Sequence, residues 1–286
     1  MIGDLLTFKA SDGIELVGLL CLPKKKTRTA LVCVHGMTGS LNDYVIRQLY
    51  PVAIKLGIAF FPFNNRGAAM VDSLDKWKGR KKTHKLGGTS FERFEDCIKD
   101  IDGALSVLRK RGFTKFILSG HSTGCQKIAY YQSRKNNPAV KGIILLAPAD
   151  DLNAKKKEIK GRFAASLKLA KKLIRQNKGN IIMPKEYSHS MFSAKRYYDI
   201  FKAGSTEGSL FNYAKPLRTM PKIQCPVLAV FGKKEQYAVI PPVMMLEKIK
   251  NANPDSEVSL IPGNHSFRGG EKQLQARVRG WLAKNI

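Results

Sequence analysis

Runs of consecutive apolar residues alternate along the chain with segments in which apolar residues recur every three or four positions. The runs predict strands buried on both faces of a sheet, at residues 30–34, 58–63, 116–118, 142–148, 227–232 and 258–263. The helical spacing predicts helices over residues 42–56, 91–111, 243–249 and 272–284, and a further helix that ends at Asn136. Residues 5–20 predict an opening β-hairpin that turns at Asp12-Gly13. This alternation predicts an α/β protein with a mostly parallel sheet and helices on both faces.

Residues 150–223 interrupt the alternation, because strand signals are missing from their sequence. Apolar residues at helical spacing mark a basic amphipathic helix at residues 163–174 and another helical piece at residues 197–201. A basic amphipathic helix can lie on a membrane surface, but more often it packs its apolar face against its own domain, which we expect here. We interpret the segment as a helical cap inserted between two parts of one core, residues 1–149 and 224–286.

The segment from residue 68 to residue 90 is polar and basic, and it is long for a connection between packed elements. Long connections of this kind are usually functional or mobile. We therefore expect a loop here that forms one wall of a functional site.

The chain has 286 residues, of which 43% are hydrophobic, and this length suits one large α/β domain that carries an insertion. The first residues do not resemble a signal peptide, and no apolar run approaches the ~20 residues that span a bilayer. We interpret the scattered cysteines as reduced thiols without metal-site spacing, which favours a cytoplasmic location. They are Cys21, Cys33, Cys97, Cys125 and Cys225.

The formal net charge of +28 bears on partners more than on the fold. Lysine runs such as residues 24–26 and 155–157 could attract anionic substrates, membrane surfaces or nucleic acid, or could form a solvated face. We favour the solvated face, because no nucleic-acid-binding signature accompanies the charge and aromatic residues are not interleaved with the lysines. A nucleic-acid partner is not expected, whereas weak association with anionic membrane surfaces stays open.

Gly120-His121-Ser122-Thr123-Gly124 lies between a predicted strand and a predicted helix. G-x-S-x-G in that context is typical of a nucleophile elbow, in which the serine projects from a sharp turn above the carboxyl edge of the sheet. Small residues at both ends of the motif allow the strand and the helix to approach closely. Ser122 is therefore the candidate nucleophile.

A serine nucleophile needs a base, and the base needs a third group that orients it. His265, which directly follows the last predicted strand, is the candidate base, and His189 is a weaker candidate because it lies in the predicted cap. Glu235 follows a strand end and is the preferred acid by position and chain order. Asp150 and Asp151 follow the preceding strand and stay open as alternatives.

An oxyanion hole needs two backbone N–H groups that point at the developing negative charge. Thr123, which follows the nucleophile, and Met37, in the loop after an early buried strand, are the candidate donors. We expect His35 to brace that loop by hydrogen bonding. This chemistry requires no metal and no organic cofactor, and the Gly87-Gly88 pair lacks the context of a nucleotide-binding loop.

Taken together, these motifs resemble the α/β-hydrolase superfamily over nearly the whole chain, most closely the branch with capped esterases, monoacylglycerol-lipase-like enzymes and serine aminopeptidases. The resemblance rests on His35-Gly36-Met37, Asn64-Asn65-Arg66-Gly67, Gly120-His121-Ser122-Thr123-Gly124, Gly232-Lys233-Lys234-Glu235 and Gly263-Asn264-His265. It implies an eight-stranded sheet, a triad of Ser122, Glu235 and His265, and an oxyanion hole from Met37 and Thr123.

The chain departs from the pattern of this superfamily at three positions. The acid of the triad is usually Asp and here is Glu235. The loop after the strand at residues 58–63 usually reads Asp-x-Arg-Gly-x-Gly, but here Asn64 replaces the acid and Ala69 the last glycine. Since this loop lies beside the site, we expect the two changes to bear on the substrate and not on the triad.

The site residues predict a hydrolase that cleaves small-molecule carboxylic esters through an acyl-enzyme. The apolar face of the predicted cap favours short to medium or aromatic acyl groups, and the net charge favours tolerance of anionic ones. Two alternatives stay open. The same triad would serve an amidase, a peptidase or an acyltransferase. A catalytically idle, hydrolase-like binding protein is the alternative of another class, because one fold hosts many activities.

Overall fold

The computed structural model describes residues 1–188 and 190–286. Its strands are β1 (Asp4–Lys9), β2 (Glu15–Leu20), β3 (Thr29–Val34), β4 (Ala59–Asn64), β5 (Asp72–Lys78), β6 (Lys81–Gly87), β7 (Lys115–His121), β8 (Val140–Leu146), β9 (Val227–Lys234) and β10 (Glu257–Asn264). Eight of them form one sheet in the order β1-β2-β4-β3-β7-β8-β9-β10. β2 runs antiparallel to its neighbours β1 and β4, and the remaining pairs are parallel. The prediction of a mostly parallel, eight-stranded sheet is confirmed.

Helices surround this sheet. They are α1 (Tyr44–Lys55), α2 (Cys97–Arg109), α3 (Thr123–Lys135), α4 (Asp151–Ile159), α5 (Phe163–Arg175), α6 (Ala194–Phe201), α7 (Thr206–Leu210), α8 (Pro242–Ala252) and α9 (Glu271–Asn285). Short 3-10 segments lie at Phe94–Asp96, Lys160–Arg162 and Met220–Lys222. α1 packs against α9, and α2 packs against α3. The helices predicted from apolar spacing are confirmed, with ends that shift by a few residues.

The central strands are apolar because helices cover both of their faces. Every residue of β3 is buried, and β3 lies between β4 and β7 in the sheet. A parallel strand in this position has no solvated face, so its sequence is a continuous apolar run and does not alternate. Because β3, β7, β8, β9 and β10 run parallel, their carboxyl ends meet at one edge of the sheet.

The segment expected to be a loop, residues 68–90, contains the β5–β6 hairpin instead. Sequence patterning missed it because most residues of both strands are polar, and β6 is exposed at every residue but the last, so no apolar alternation marks the strands. The hairpin docks on the opening strands, where the Trp77 indole N–H donates to Glu15 Oε2 at 3.0 Å and the Trp77 N–H donates to Gly13 O at 2.9 Å. It lies outside the lining of the candidate site, which this segment reaches only through Thr89, just after the hairpin.

Helices α4 to α7 lie between β8 and β9, in the part of the chain interpreted as a cap. They hold a hydrophobic cluster separate from the main core, with members that include Met183, Phe192, Tyr197, Ile200 and Phe201. The apolar side of α5 packs against this cluster, as we expected. The boundaries at residues 150 and 223 stay a prediction. Across the described residues, no helix is both long enough and apolar enough to cross a membrane.

Candidate active site

The turn between β7 and α3 is unusually tight. Ser122 adopts φ 54° and ψ −125°, a left-handed conformation that costs a non-glycine residue energy and marks functional sites. A Cβ at Gly120 would lie 2.3 Å from Gly124 O, and one at Gly124 would lie 2.2 Å from Val34 O. Only glycine fits at either position, so the strand, the turn and the helix can approach closely enough to present the serine.

Ser122 borders a cavity of about 320 Å³ at the carboxyl edge of the sheet. Its backbone N–H donates to Leu146 O of β8 at 2.9 Å, which fixes the turn against the neighbouring strand. His265 lines the same cavity. The structure thus brings the predicted nucleophile and the predicted base to one cavity, from positions 143 residues apart in the sequence.

Glu235 and His265 form a direct pair. Nδ1 of His265 lies 2.9 Å from both carboxylate oxygens of Glu235, and both residues are buried. They meet because Glu235 follows β9 and His265 follows β10, and these parallel strands are neighbours. A proton on Nδ1 that is donated to Glu235 leaves Nε2 of the neutral ring as the basic nitrogen. The Tyr237 N–H donates to Glu235 Oε1 at 3.0 Å and holds the carboxylate in place.

The alternative acids are engaged elsewhere. Asp150 caps α4 by accepting from the Asn153 N–H at 2.9 Å, and it also accepts from the Tyr213 N–H at 2.9 Å. Asp151 Oδ2 accepts from Gln126 Nε2 at 2.8 Å. Of the candidate acids, Glu235 is therefore the one that the structure pairs with His265. His189, the weaker candidate base, lies outside the described residues.

Two rings flank His265 that sequence reasoning did not assign to the site. The His121 ring centroid lies 4.9 Å away, and Nε2 of His121 donates to His265 O at 3.0 Å. Burial, with a smaller effect of His265, lowers the pKa of His121 to about 3, so the ring is neutral at physiological pH. Tyr237 makes an edge contact with His265 at 4.8 Å between centroids. His121 lies inside the G-x-S-x-G motif, but the motif itself does not specify that position.

Met37 and Thr123, the candidate oxyanion donors, both line the cavity. Thr123 is the first residue of α3, where backbone N–H groups have no intrahelical acceptor. A Cβ at Gly36 would lie 2.9 Å from the Ser122 Cβ, so glycine allows the loop that carries Met37 to approach the nucleophile. The arrangement is compatible with the predicted hole.

His35 braces that loop, as expected. Its Nδ1 donates to Gly36 O at 2.8 Å, and its Nε2 accepts from the Asn65 N–H at 3.2 Å. Burial is the largest cause that lowers the pKa of His35 to about 4, and Lys127 adds to it. A neutral ring supplies the one donor and one acceptor that these two contacts require.

The end of β4 and the loop after it contain two of the departures noted in the sequence, Asn64 and Ala69. Asn64 Oδ1 accepts from the Leu41 N–H at 2.7 Å, so the side chain that replaces the usual acid connects the end of β4 to the loop before α1. Arg66 is a structural residue, because its guanidinium is held by Asp12, Asp96 and Asp100. Ala69 keeps a positive φ of 57° at the position where glycine is usual.

A buried ionic network connects α3 to α6 and α7. Lys127 of α3 lies 2.7 Å from Glu92 Oε2, and Arg196 of α6 lies 3.1 Å from Glu92 Oε1. Arg196 also pairs with Glu207 of α7, with Nη2 at 2.9 Å from Oε1. Sequence reasoning missed this network, because its members lie on four separate segments and share no spacing.

Comparisons with known proteins identify a family that the chain matches and solved structures with a similar fold. Residues 86–285 match the model of a family described as "Protein of unknown function (DUF1749)". No curated protein matches the chain. A structure of Est1E from Butyrivibrio proteoclasticus with bound ferulic acid is 15% identical, with a TM-score of 0.67 over 98% of this chain and 99% of that chain.

Two further solved structures are similar at the same level. Esterase Pf2001 from Pyrococcus furiosus is 15% identical, with a TM-score of 0.63 over 99% of this chain and 92% of that chain. Alpha/beta hydrolase domain-containing protein 10 from mouse is 16% identical, with a TM-score of 0.59 over 98% and 99%. These likenesses establish the α/β-hydrolase fold.

Proposed function

The chain belongs to the DUF1749 family, proteins of unknown function, and we propose that it is a serine hydrolase that cleaves carboxylic esters. The observation that carries the proposal is the buried contact between His265 Nδ1 and Glu235, at 2.9 Å, beside the cavity that Ser122 also lines. A base oriented by a carboxylate, near a serine on a strained turn, is the arrangement that nucleophilic acyl transfer requires.

In the proposed reaction, Ser122 Oγ attacks the ester carbonyl carbon while His265 Nε2 takes the hydroxyl proton. The backbone N–H groups of Met37 and Thr123 bind the negative oxygen that forms. The carbon–oxygen bond to the alcohol then breaks, and His265 returns the proton to the leaving oxygen. Water, activated by His265, attacks the acyl-enzyme, and the acid leaves with Ser122 restored. Glu235 orients His265 and stabilises its protonated form.

The cavity supports short to medium or aromatic acyl groups. Its volume of about 320 Å³ is at the small end of ligand pockets. Phe192, Phe201 and Tyr237 contribute aromatic walls. Est1E, which shares the fold, binds ferulic acid, and this supports aromatic substrates.

Anionic substrates would gain from the field of the whole chain more than from a contact in the cavity. Among the described residues that line the cavity, the lysine is Lys155, and its Nζ lies 2.7 Å from Glu158 Oε2. Steering by distant charges weakens as salt rises. Comparing neutral with carboxylated esters across salt tests this, and anionic esters without an advantage at low salt would contradict it.

The first test is hydrolysis of p-nitrophenyl esters from acetate to laurate by wild type and by Ser122→Ala. Removal of the nucleophile should lower kcat by about 10⁴–10⁶. Ser133→Ala, on the same helix, is the matched control and should keep wild-type activity.

Labelling by a serine-directed fluorophosphonate separates the alternatives. An enzyme that labels but does not cleave the panel acts on another bond, and amides or acceptor alcohols become the next substrates. If the protein neither hydrolyses the esters nor labels with the probe, the proposal is refuted in favour of a binding protein.

A further inference from the structure

Both backbone polar groups of His265 are held by side chains. Its N–H donates to Gln236 Oε1 at 3.0 Å, and its carbonyl oxygen accepts from His121 Nε2 at 3.0 Å. Gln236 is exposed, so water can take the place of its oxygen. The His121 ring instead lines the cavity and packs against the His265 ring, with 4.9 Å between centroids and 47° between planes. Of the two contacts, the one from His121 is therefore harder to replace.

His121 is fixed relative to the candidate nucleophile. It is the last residue of β7, where it pairs with Leu146 of β8, and Ser122 follows it directly. The Ser122 N–H donates to Leu146 O at 2.9 Å, so both residues are held on the same neighbouring strand. One tight turn thus carries the serine and the ring that holds the carbonyl group of His265.

The contacts of His265 with Glu235 and with His121 restrain different parts of the residue. Glu235 follows β9 and orients the imidazole through Nδ1, at 2.9 Å. That contact leaves the ring free to shift together with its own backbone. This backbone follows the end of β10, where the register against β9 becomes irregular between Ile261 and Asn264. A restraint on the main chain adds what the Glu235 contact lacks, a fixed distance from the base to the serine.

The His121 ring is in the state that its contact with His265 requires. A carbonyl oxygen only accepts, so Nε2 of His121 must carry a proton. Burial is the largest cause that lowers the pKa of His121 to about 3, so the ring is neutral at physiological pH and has one proton to donate. A neutral ring also does not repel the positive charge that His265 acquires when it takes a proton from Ser122.

We propose that His121 is a positioning residue, which holds the main chain of His265 and thereby sets the distance from His265 Nε2 to Ser122 Oγ. His121 acts through His265 and takes no proton itself. The kinetic consequence rests on the proposed function, whereas the effect on the order of the His265 ring does not. A displacement of about 1 Å between reacting groups can lower a rate by about 100-fold, so a small shift of His265 is enough to measure.

Two variants separate the hydrogen bond from the bulk of the ring. His121→Phe keeps a ring without a donor, whereas His121→Gln keeps an N–H donor at the same number of bonds from the backbone as Nε2. On the best p-nitrophenyl ester, His121→Phe should lower kcat by about 10–100-fold and change KM by less than about twofold, because the base moves and the substrate does not. His121→Gln should keep kcat within about threefold of wild type. His84→Phe, at an exposed position on β6, is the matched control and should behave as wild type.

Nuclear magnetic resonance of the histidine rings reports on the base without turnover. In protein with isotope-labelled histidine, the ring nitrogens of His265 should show one tautomer, with the proton on Nδ1 beside Glu235. In His121→Phe the signals of the two nitrogens should shift towards each other, because a mobile ring exchanges between both tautomers. His121→Gln should keep the wild-type signals. His265→Ala assigns the signals by removing them.

Four results would overturn the positioning role: wild-type kcat in His121→Phe; a loss that appears in KM alone; an equal loss of kcat in His121→Phe and His121→Gln; or ring signals of His265 that stay unchanged in His121→Phe. If His121→Phe does not fold, His121→Asn takes its place, because its amide nitrogen lies one bond closer to the backbone and cannot reach the carbonyl. If wild type hydrolyses no ester and the His265 signals still respond to His121→Phe, the proposed function fails and the positioning role stands. If wild type hydrolyses esters and His121→Phe matches it, the reverse holds.

Discussion

Replacement of Asp151 by asparagine should stabilise the protein. Burial and the nearby carboxylates raise the pKa of Asp151 from its ordinary value of 3.8 to about 8. In the unfolded chain this carboxyl ionises above about pH 4, whereas in the folded chain it keeps its proton until about pH 8. The folded state therefore binds more protons between these limits, so the free energy of unfolding falls as pH rises through them. Above pH 8 the loss of unfolding free energy no longer grows.

The size of the effect follows from the pKa shift. At pH 7 the folded protein keeps this proton about three pH units above the ordinary pKa of the carboxyl. At ~1.4 kcal/mol per unit, this lowers the free energy of unfolding by roughly 4 kcal/mol. The side chain borders a cavity open to water, which lowers the penalty, so we expect about 2 kcal/mol. Asparagine carries no such penalty and keeps an oxygen that can accept from Gln126. For a chain of this size, ~2 kcal/mol raises Tm by roughly 4–8 °C.

The test is thermal and urea unfolding of wild type and Asp151→Asn, followed by circular dichroism at pH 5, 7, 8 and 9. The stability difference should grow from pH 5 to about pH 8 and then level off. Asp255→Asn, at an exposed position, is the control and should show no difference at any pH. A variant that is less stable than wild type at pH 8, or a difference that is equal at pH 5 and pH 8, would show that Asp151 is ionised in the folded protein.

Three further variants test other parts of the structure. Glu235→Gln should lower kcat on the best ester by about 10²–10⁴, because His265 loses its orienting charge. Asp150→Asn should instead change the melting temperature. Equal losses of kcat in the two variants would contradict the assignment of the acid. Lys127→Met should lower the free energy of unfolding in urea by about 3–5 kcal/mol, because the buried Glu92 loses a cation. Lys135→Met, on the exposed side of the same helix, is the control and should lower it by at most about 1 kcal/mol. Ala69→Gly should raise the free energy of unfolding by about 1 kcal/mol, since alanine at φ 57° is strained, and an unchanged urea midpoint would argue against that strain.

Local patterning determined most of the sheet and the helices around it. A strand covered by helices on both faces, such as β3, must be apolar at every position, so its sequence alone identifies it. The tight turn between β7 and α3 was equally predictable, because Gly120 and Gly124 lie where any Cβ would meet backbone within 2.3 Å. Glu235 and His265 were predictable as a pair, since both follow strands that end at the same edge of a parallel sheet.

Other features depended on contacts between segments far apart in the chain. The β5–β6 hairpin forms although most of its residues are polar and β6 is almost wholly exposed, because Trp77 docks on the opening strands. Glu92, Lys127 and Arg196 are ordinary charged residues in the sequence, and they become a buried network where three segments converge. Likewise, Asp151 keeps its proton because the fold buries it and brings the charge of Glu207, 56 residues further along, near it. Burial along one element leaves a periodic trace in the sequence, whereas the electrostatic environment of a side chain is set by neighbours that only the assembled fold supplies.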